Sequence, residues 1–90
     1  MLSEKEMKKI ALNECVNMLG EDIVFANKEL CCATYGLSED GMFYYNLGID
    51  KEKKPYRMGG ETPMDFYAFV VVNPNNGKIT RDYENSILPN

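Results

Sequence analysis

The chain has no histidine among its 90 residues. That removes the Ser-His-Asp and Cys-His arrangements of nucleophilic catalysis, and with them the commonest zinc ligand. It also lacks a basic balance. Ten Lys and Arg stand against fourteen Asp and Glu, for a net charge of −4. Nucleic acid is therefore not an expected partner, since its phosphates call for a basic patch. No run is long and apolar enough to span a bilayer or form a signal-peptide core, so membrane insertion is not expected. Cysteine is scarce as well: three residues, an odd number, with no disulfide framework and no C-x-x-C spacing. Unpaired thiols lean toward a reducing compartment. The expected location is cytoplasmic if Met1 is the native start, and extracytoplasmic if the chain was cut downstream of a signal.

What is present is ordinary for a globular protein: 44% hydrophobic residues, 27% charged, and no low-complexity tract. Ninety residues make a single domain, 1–90, with a small core. The stretch Asp65 to Tyr83 anchors the reading. Phe66, Ala68, Val70 and Val72 share one side of an extended chain, and Tyr67, Phe69 and Val71 the other. Both sides are apolar, as in a central strand. Pro74-Asn75-Asn76-Gly77 supplies turn chemistry, and Ile79, Arg81 and Tyr83 then alternate with polar residues along a returning strand.

Upstream, Ser3 with Glu6 forms the pattern of a capping box, and Leu2 and Met7 have the spacing of a hydrophobic staple. Met7, Ala11, Leu12, Cys15, Val16, Met18 and Leu19 make a broad apolar stripe, predicting an amphipathic helix over about residues 4–19 that stops at Gly20. Ile23, Val24 and Phe25 are expected to tuck under its end. A strand is expected from about Lys28 to Leu37, then a turn at Ser38-Glu39-Asp40-Gly41, then a strand from Met42 to Asp50. Phe43, Tyr45, Leu47 and Ile49 should face the helix. Lys51 to Pro63 reads as a charged, Pro- and Gly-punctuated connector or contact surface, with Tyr56, Arg57 and Met58 as its candidate binding residues. The tail is polar except for Ile87 and Leu88, which either dock or fray.

The expected fold is therefore α+β: one N-terminal amphipathic helix packed on a four-stranded, mostly antiparallel sheet with near-sequential strand order. One helix covers one sheet face. The candidate binding residues are the aromatics assigned to the other: Tyr35, Tyr44, Tyr67 and Phe69. Tyrosine suits an interface because its body is apolar and its tip polar. A homodimer or a complex with another protein is expected through this face.

The helix-then-strands order and the closing hairpin Phe69-Val70-Val71-Val72-Asn73-Pro74-Asn75-Asn76-Gly77-Lys78-Ile79 resemble a PepSY domain. That family closes on a hairpin of the form V-D-x-x-T-G-x-V. Asn73 stands where the family has Asp and Asn76 where it often has Thr, while Gly77 and Ile79 match. The resemblance implies a non-catalytic module that binds or restrains a protein such as a peptidase, often outside the cytoplasm; no cofactor and no metal are expected from the residues. Two other readings compete. One is a small thiol-dependent enzyme or redox protein using Cys31 or Cys32, against the expectation that all three cysteines are small buried apolar residues. The other is a small-ligand carrier with Met18, Met42 and Phe43 lining a space between helix and sheet. The carboxylate pairs Glu21-Asp22 and Glu39-Asp40 fall at a helix end and in a turn, where acids are expected for local reasons.

Overall fold

A computed structural model describes residues 1–50 and 65–89. The first helix, α1, runs Glu4–Leu19. Its start is built as the sequence reads. Ser3 Oγ accepts from the N–H of Glu6 at 3.2 Å, and Glu6 Oε1 accepts from the N–H of Ser3 at 3.1 Å. Two donors of the free helix end are thereby satisfied. Met7, Ala11, Cys15, Met18 and Leu19 are buried along one side. Leu12, placed in the same stripe by spacing, is instead 39% exposed at its margin.

The next segment departs from expectation. Residues Glu21–Ala26 form a short helix, α2, and Lys28–Leu30 a single 3₁₀ turn. Asn27 holds this compact path: its side-chain amide donates to Ile23 O at 2.8 Å and its carbonyl accepts from Leu30 N–H at 2.8 Å. Local bonds thus keep residues 28–30 out of the strand. Ile23 and Val24 pack on the core, but Phe25 points outward and is 77% exposed.

Four strands follow: β1 Cys31–Leu37, β2 Phe43–Ile49, β3 Phe66–Val72 and β4 Ile79–Arg81. They form one antiparallel sheet in the order β1-β2-β3-β4. The α+β arrangement and the sequential strand order are those the sequence implies. At the β1–β2 turn, Ser38 N–H donates to Met42 O at 2.8 Å and Gly41 takes φ +83°. The β3–β4 turn is closed by Asn73 N–H to Lys78 O at 2.9 Å, with Gly77 at φ +72°. Each of these glycines supplies a left-handed position that an L side chain resists. Leu2 N–H donates to Pro74 O at 2.8 Å, tying the N-terminus to the same turn.

Residues paired across strands share a face, so the register defines both sides of the sheet. The inner face carries Phe43, Tyr45, Leu47 and Ile49 from β2 and Phe66, Ala68, Val70 and Val72 from β3. Helix α1 lies across these two strands. Leu19, Phe43, Ile49, Val70 and Val72 are essentially inaccessible. Each such side chain contributes about 1.5–3 kcal/mol by leaving water. Strand β1 lies outside the helix footprint. Its inner-face residues Ala33, Tyr35 and Leu37 are exposed.

Beyond β4 the chain keeps to the edge of β3. Asp82 N–H donates to Phe69 O at 2.9 Å, and residues 83–85 then step out of the ladder. Ser86 bridges the gap: its Oγ accepts from Phe69 N–H at 3.0 Å and donates to Asp82 O at 2.6 Å. Pairing resumes where Ile87 and Tyr67 exchange bonds of 2.7 and 2.9 Å. Ile87 and Leu88 therefore dock, Ile87 on the ladder and Leu88 against the core.

Candidate binding face

The outer face of the sheet is read from the same register. Gly36, Tyr44, Val71 and Thr80 form one row across the strands, and Thr34, Asn46 and Phe69 the next. Cys32, Gly48, Tyr67 and Ile87 form a third. Three rings run along it. Tyr44 and Phe69 lie diagonally across β2 and β3 with centroids 6.3 Å apart and planes 22° apart. Phe69 and Tyr67, two positions apart on β3, have centroids 6.4 Å apart at 55°. All three side chains are half-buried. Separations of this kind suit offset and tilted ring packing.

The rings are placed by their neighbours. Tyr44 sits over Gly36 of β1, whose missing side chain leaves the space the phenol fills. Phe69 has its backbone N–H held by Ser86 and its C=O by Asp82. Within the middle row lies Asn46, directly opposite Phe69 and only 6% exposed. It is a buried polar side chain on the face turned away from the helix. Neither Asn46 nor Gly36 was evident in the sequence, because their importance depends on which cross-strand neighbours they meet.

Tyr35 does not belong to this face. It is paired with Tyr45 across β1 and β2 and therefore points to the helix side. There it stacks on Tyr45 at 5.9 Å and 9° and contacts Phe43 at 6.1 Å. Lys8 Nζ stands 3.9 Å from the centre of its ring. Interaction with Tyr35 raises the Lys8 pKa above its ordinary value, and burial does the same for the Tyr45 phenol. Of the four expected aromatics, the structure gathers Tyr44, Tyr67 and Phe69 and separates Tyr35. The candidate loop residues Tyr56, Arg57 and Met58 lie outside the described residues.

The thiols are distributed differently from the expectation that all are buried. Cys15 is buried, Cys31 is half-buried and Cys32 is exposed. Cys15 Sγ donates to Ala68 O at 3.7 Å, and burial pushes its pKa up to about 12. Burial also raises Cys31, whose Sγ donates to Asn27 O at 3.4 Å. Of the residues expected to line a space for a carried ligand, Met18 and Phe43 are buried in the core at 8% and 1% exposure, and Met42 is half-buried. A shallow groove of about 580 Å³ lies elsewhere, against Val16, Val24 and Phe25. Among the described residues no group of three or more His, Cys, Asp or Glu could hold a metal ion, and no helix is long and apolar enough to cross a membrane.

The outer face is thus a ring-lined platform with polar tips and one buried carboxamide. No family model, curated protein or solved structure matches the chain.

Proposed function

We propose that this protein is a non-catalytic binding module of the kind the PepSY resemblance implies, and that it engages a protein partner through the outer face of its sheet. The observation that carries the reading is the line of three rings, Tyr44, Phe69 and Tyr67, on the face opposite α1. Aromatic anchors of this type each contribute about 1–3 kcal/mol when an interface desolvates them. Tyrosine gives apolar contact area at small entropic cost and keeps a hydroxyl for the rim. The thiols lend little support to a redox reading. Cys31 and Cys32 are adjacent on β1 and point to opposite faces, and burial disfavours the thiolate of Cys31.

The test is affinity capture from native extract with wild type, a Tyr44→Ser/Tyr67→Ser variant, and a Phe25→Ser control. Phe25 is an exposed aromatic on α2, away from the platform. Wild type and the control should retain the same partner, while the double variant loses it and keeps its far-ultraviolet circular dichroism. Retention by the folded double variant contradicts the proposal.

A further inference from the structure

Strand β1 is the open edge of the sheet, with β2 on one side and no described strand on the other. Its backbone orientation follows from two bonds at its ends. Ser38 N–H donates to Met42 O, and Asp50 N–H donates to Leu30 O. In an antiparallel ladder the bonded positions alternate, so Cys32, Thr34 and Gly36 direct their backbone groups at β2. The C=O groups of Cys31, Ala33, Tyr35 and Leu37 turn outward. So do the N–H groups of Ala33, Tyr35 and Leu37, while that of Cys31 bonds Lys28 O.

Proteins ordinarily blunt such an edge with charge, proline, a bulge or brevity. The opposite edge of this sheet shows that treatment: β4 has three residues, ends in Arg81, and is followed by the step-out at residues 83–85. Strand β1 has seven residues, Cys-Cys-Ala-Thr-Tyr-Gly-Leu, with no charge and no proline. Tyr35 is 41% exposed and Leu37 66%.

We infer that β1 pairs with β1 of a second copy, antiparallel about a two-fold axis through Thr34. Thr34 is the middle residue of the strand, so this register uses its whole length. It pairs Tyr35 with Ala33 of the other copy, Leu37 with Cys31 and Gly36 with Cys32. Each larger side chain then meets a smaller one. Roughly six backbone bonds would join the copies, one for each outward N–H. Charge does not oppose this occupant. The strand itself carries no charge, so pairing it with its own copy sets no like charges opposite one another in the ladder, despite a net charge of −4 on each chain. The two sheets become continuous. Both α1 helices lie on one side, and both Tyr44-Phe69-Tyr67 rows lie together on the other. This inference does not rest on the proposed binding function, which uses a different surface.

Two measurements on the full chain test it. Sedimentation equilibrium from micromolar to hundred-micromolar protein should show a dimer, and Ala33→Pro should shift it to monomer. That substitution removes an outward N–H and leaves the β1–β2 ladder bonds in place. In a Cys31→Ser/Cys32→Ser background, Thr34→Cys should form an intermolecular disulfide under mild oxidant at least tenfold faster than Thr80→Cys, an exposed position on β4. Paired non-hydrogen-bonded positions stand at a distance a disulfide accepts. If Ala33→Pro fails to fold, the disulfide rates decide. A monomer throughout, a dimer unchanged by a folded Ala33→Pro, or equal disulfide rates would each overturn the inference.

Discussion

The ring of Tyr44 occupies the space above Gly36 on the neighbouring strand. A Cβ built at Gly36 would stand 2.8 Å from the phenol oxygen and 3.0 Å from Cζ. The clash falls at the far end of a side chain that can swing, and Gly36 does not need a left-handed backbone. Gly36→Ala should therefore fold with stability within about 1 kcal/mol of wild type, because relief of unfolded-chain entropy offsets the shift of the ring. Partner capture should fall, as expected for the Tyr44→Ser/Tyr67→Ser variant. Thermal melting beside capture separates the two effects. Unchanged capture would show that the orientation of Tyr44 is irrelevant to binding.

Ser86 is the second support of the platform. Its hydroxyl bridges Phe69 N–H and Asp82 O across the step-out at residues 83–85. Ser86→Ala leaves both groups without that partner and should cost about 1–3 kcal/mol. Amide exchange at Phe69 should accelerate by at least tenfold, while exchange in the middle of β2 keeps pace with global stability. An unaltered Phe69 amide would mean that the hydroxyl is not its protector.

The sequence carried α1 and its start in full, because the capping box and the apolar spacing are local signals. The hairpin turns were equally legible from Asp40-Gly41 and Asn76-Gly77. The face assigned to Tyr35 was not. Its set, Cys31, Ala33, Tyr35 and Leu37, is the more apolar of the two, yet on an edge strand outside the helix footprint that side stays largely exposed, so apolar pattern and burial do not coincide. Only pairing with Tyr45 decides the matter. Helix α2 is too short to show a period, and its largest apolar residue, Phe25, faces solvent. Asn46 was missed for a related reason: the cross-strand neighbour it faces, Phe69, arrives from a distant stretch of chain.

The capping box predicts a pH effect. Hydrogen bonding to the Ser3 backbone, then to its side chain, holds the Glu6 carboxyl below its ordinary 4.5. A carboxyl depressed in the folded state stabilises fully above that ordinary value and loses its contribution as pH falls through the lower folded one. Ser3→Ala should cost about 1 kcal/mol near neutral pH. Glu6→Gln should flatten stability measured by denaturant titration below about pH 4.5 relative to wild type. Parallel curves for Glu6→Gln and wild type would argue against the reciprocal cap.

The thiols should separate by burial. Cys32 should react first with a thiol reagent, Cys31 more slowly, and Cys15 only on unfolding. The buried Cys15 thiol, raised from 9.0 to about 12, contributes stability that is complete below pH 9.0 and is lost as pH rises toward 12. Alkaline denaturation of the native protein should accordingly expose this third thiol within that window. Reaction of all three cysteines at equal rates in the folded protein would contradict the packing of α1 on β3.

Site-specific photo-crosslinking tests the binding face most directly. A photoreactive phenylalanine analogue replaces Tyr44, Tyr67 or, as a control, Phe25, and each folded protein is irradiated in native extract. A shared partner adduct from positions 44 and 67, absent from position 25, is the result predicted for a ring-lined docking surface. Adducts at 44 and 67 no stronger than at 25, from proteins shown to be folded, would contradict it.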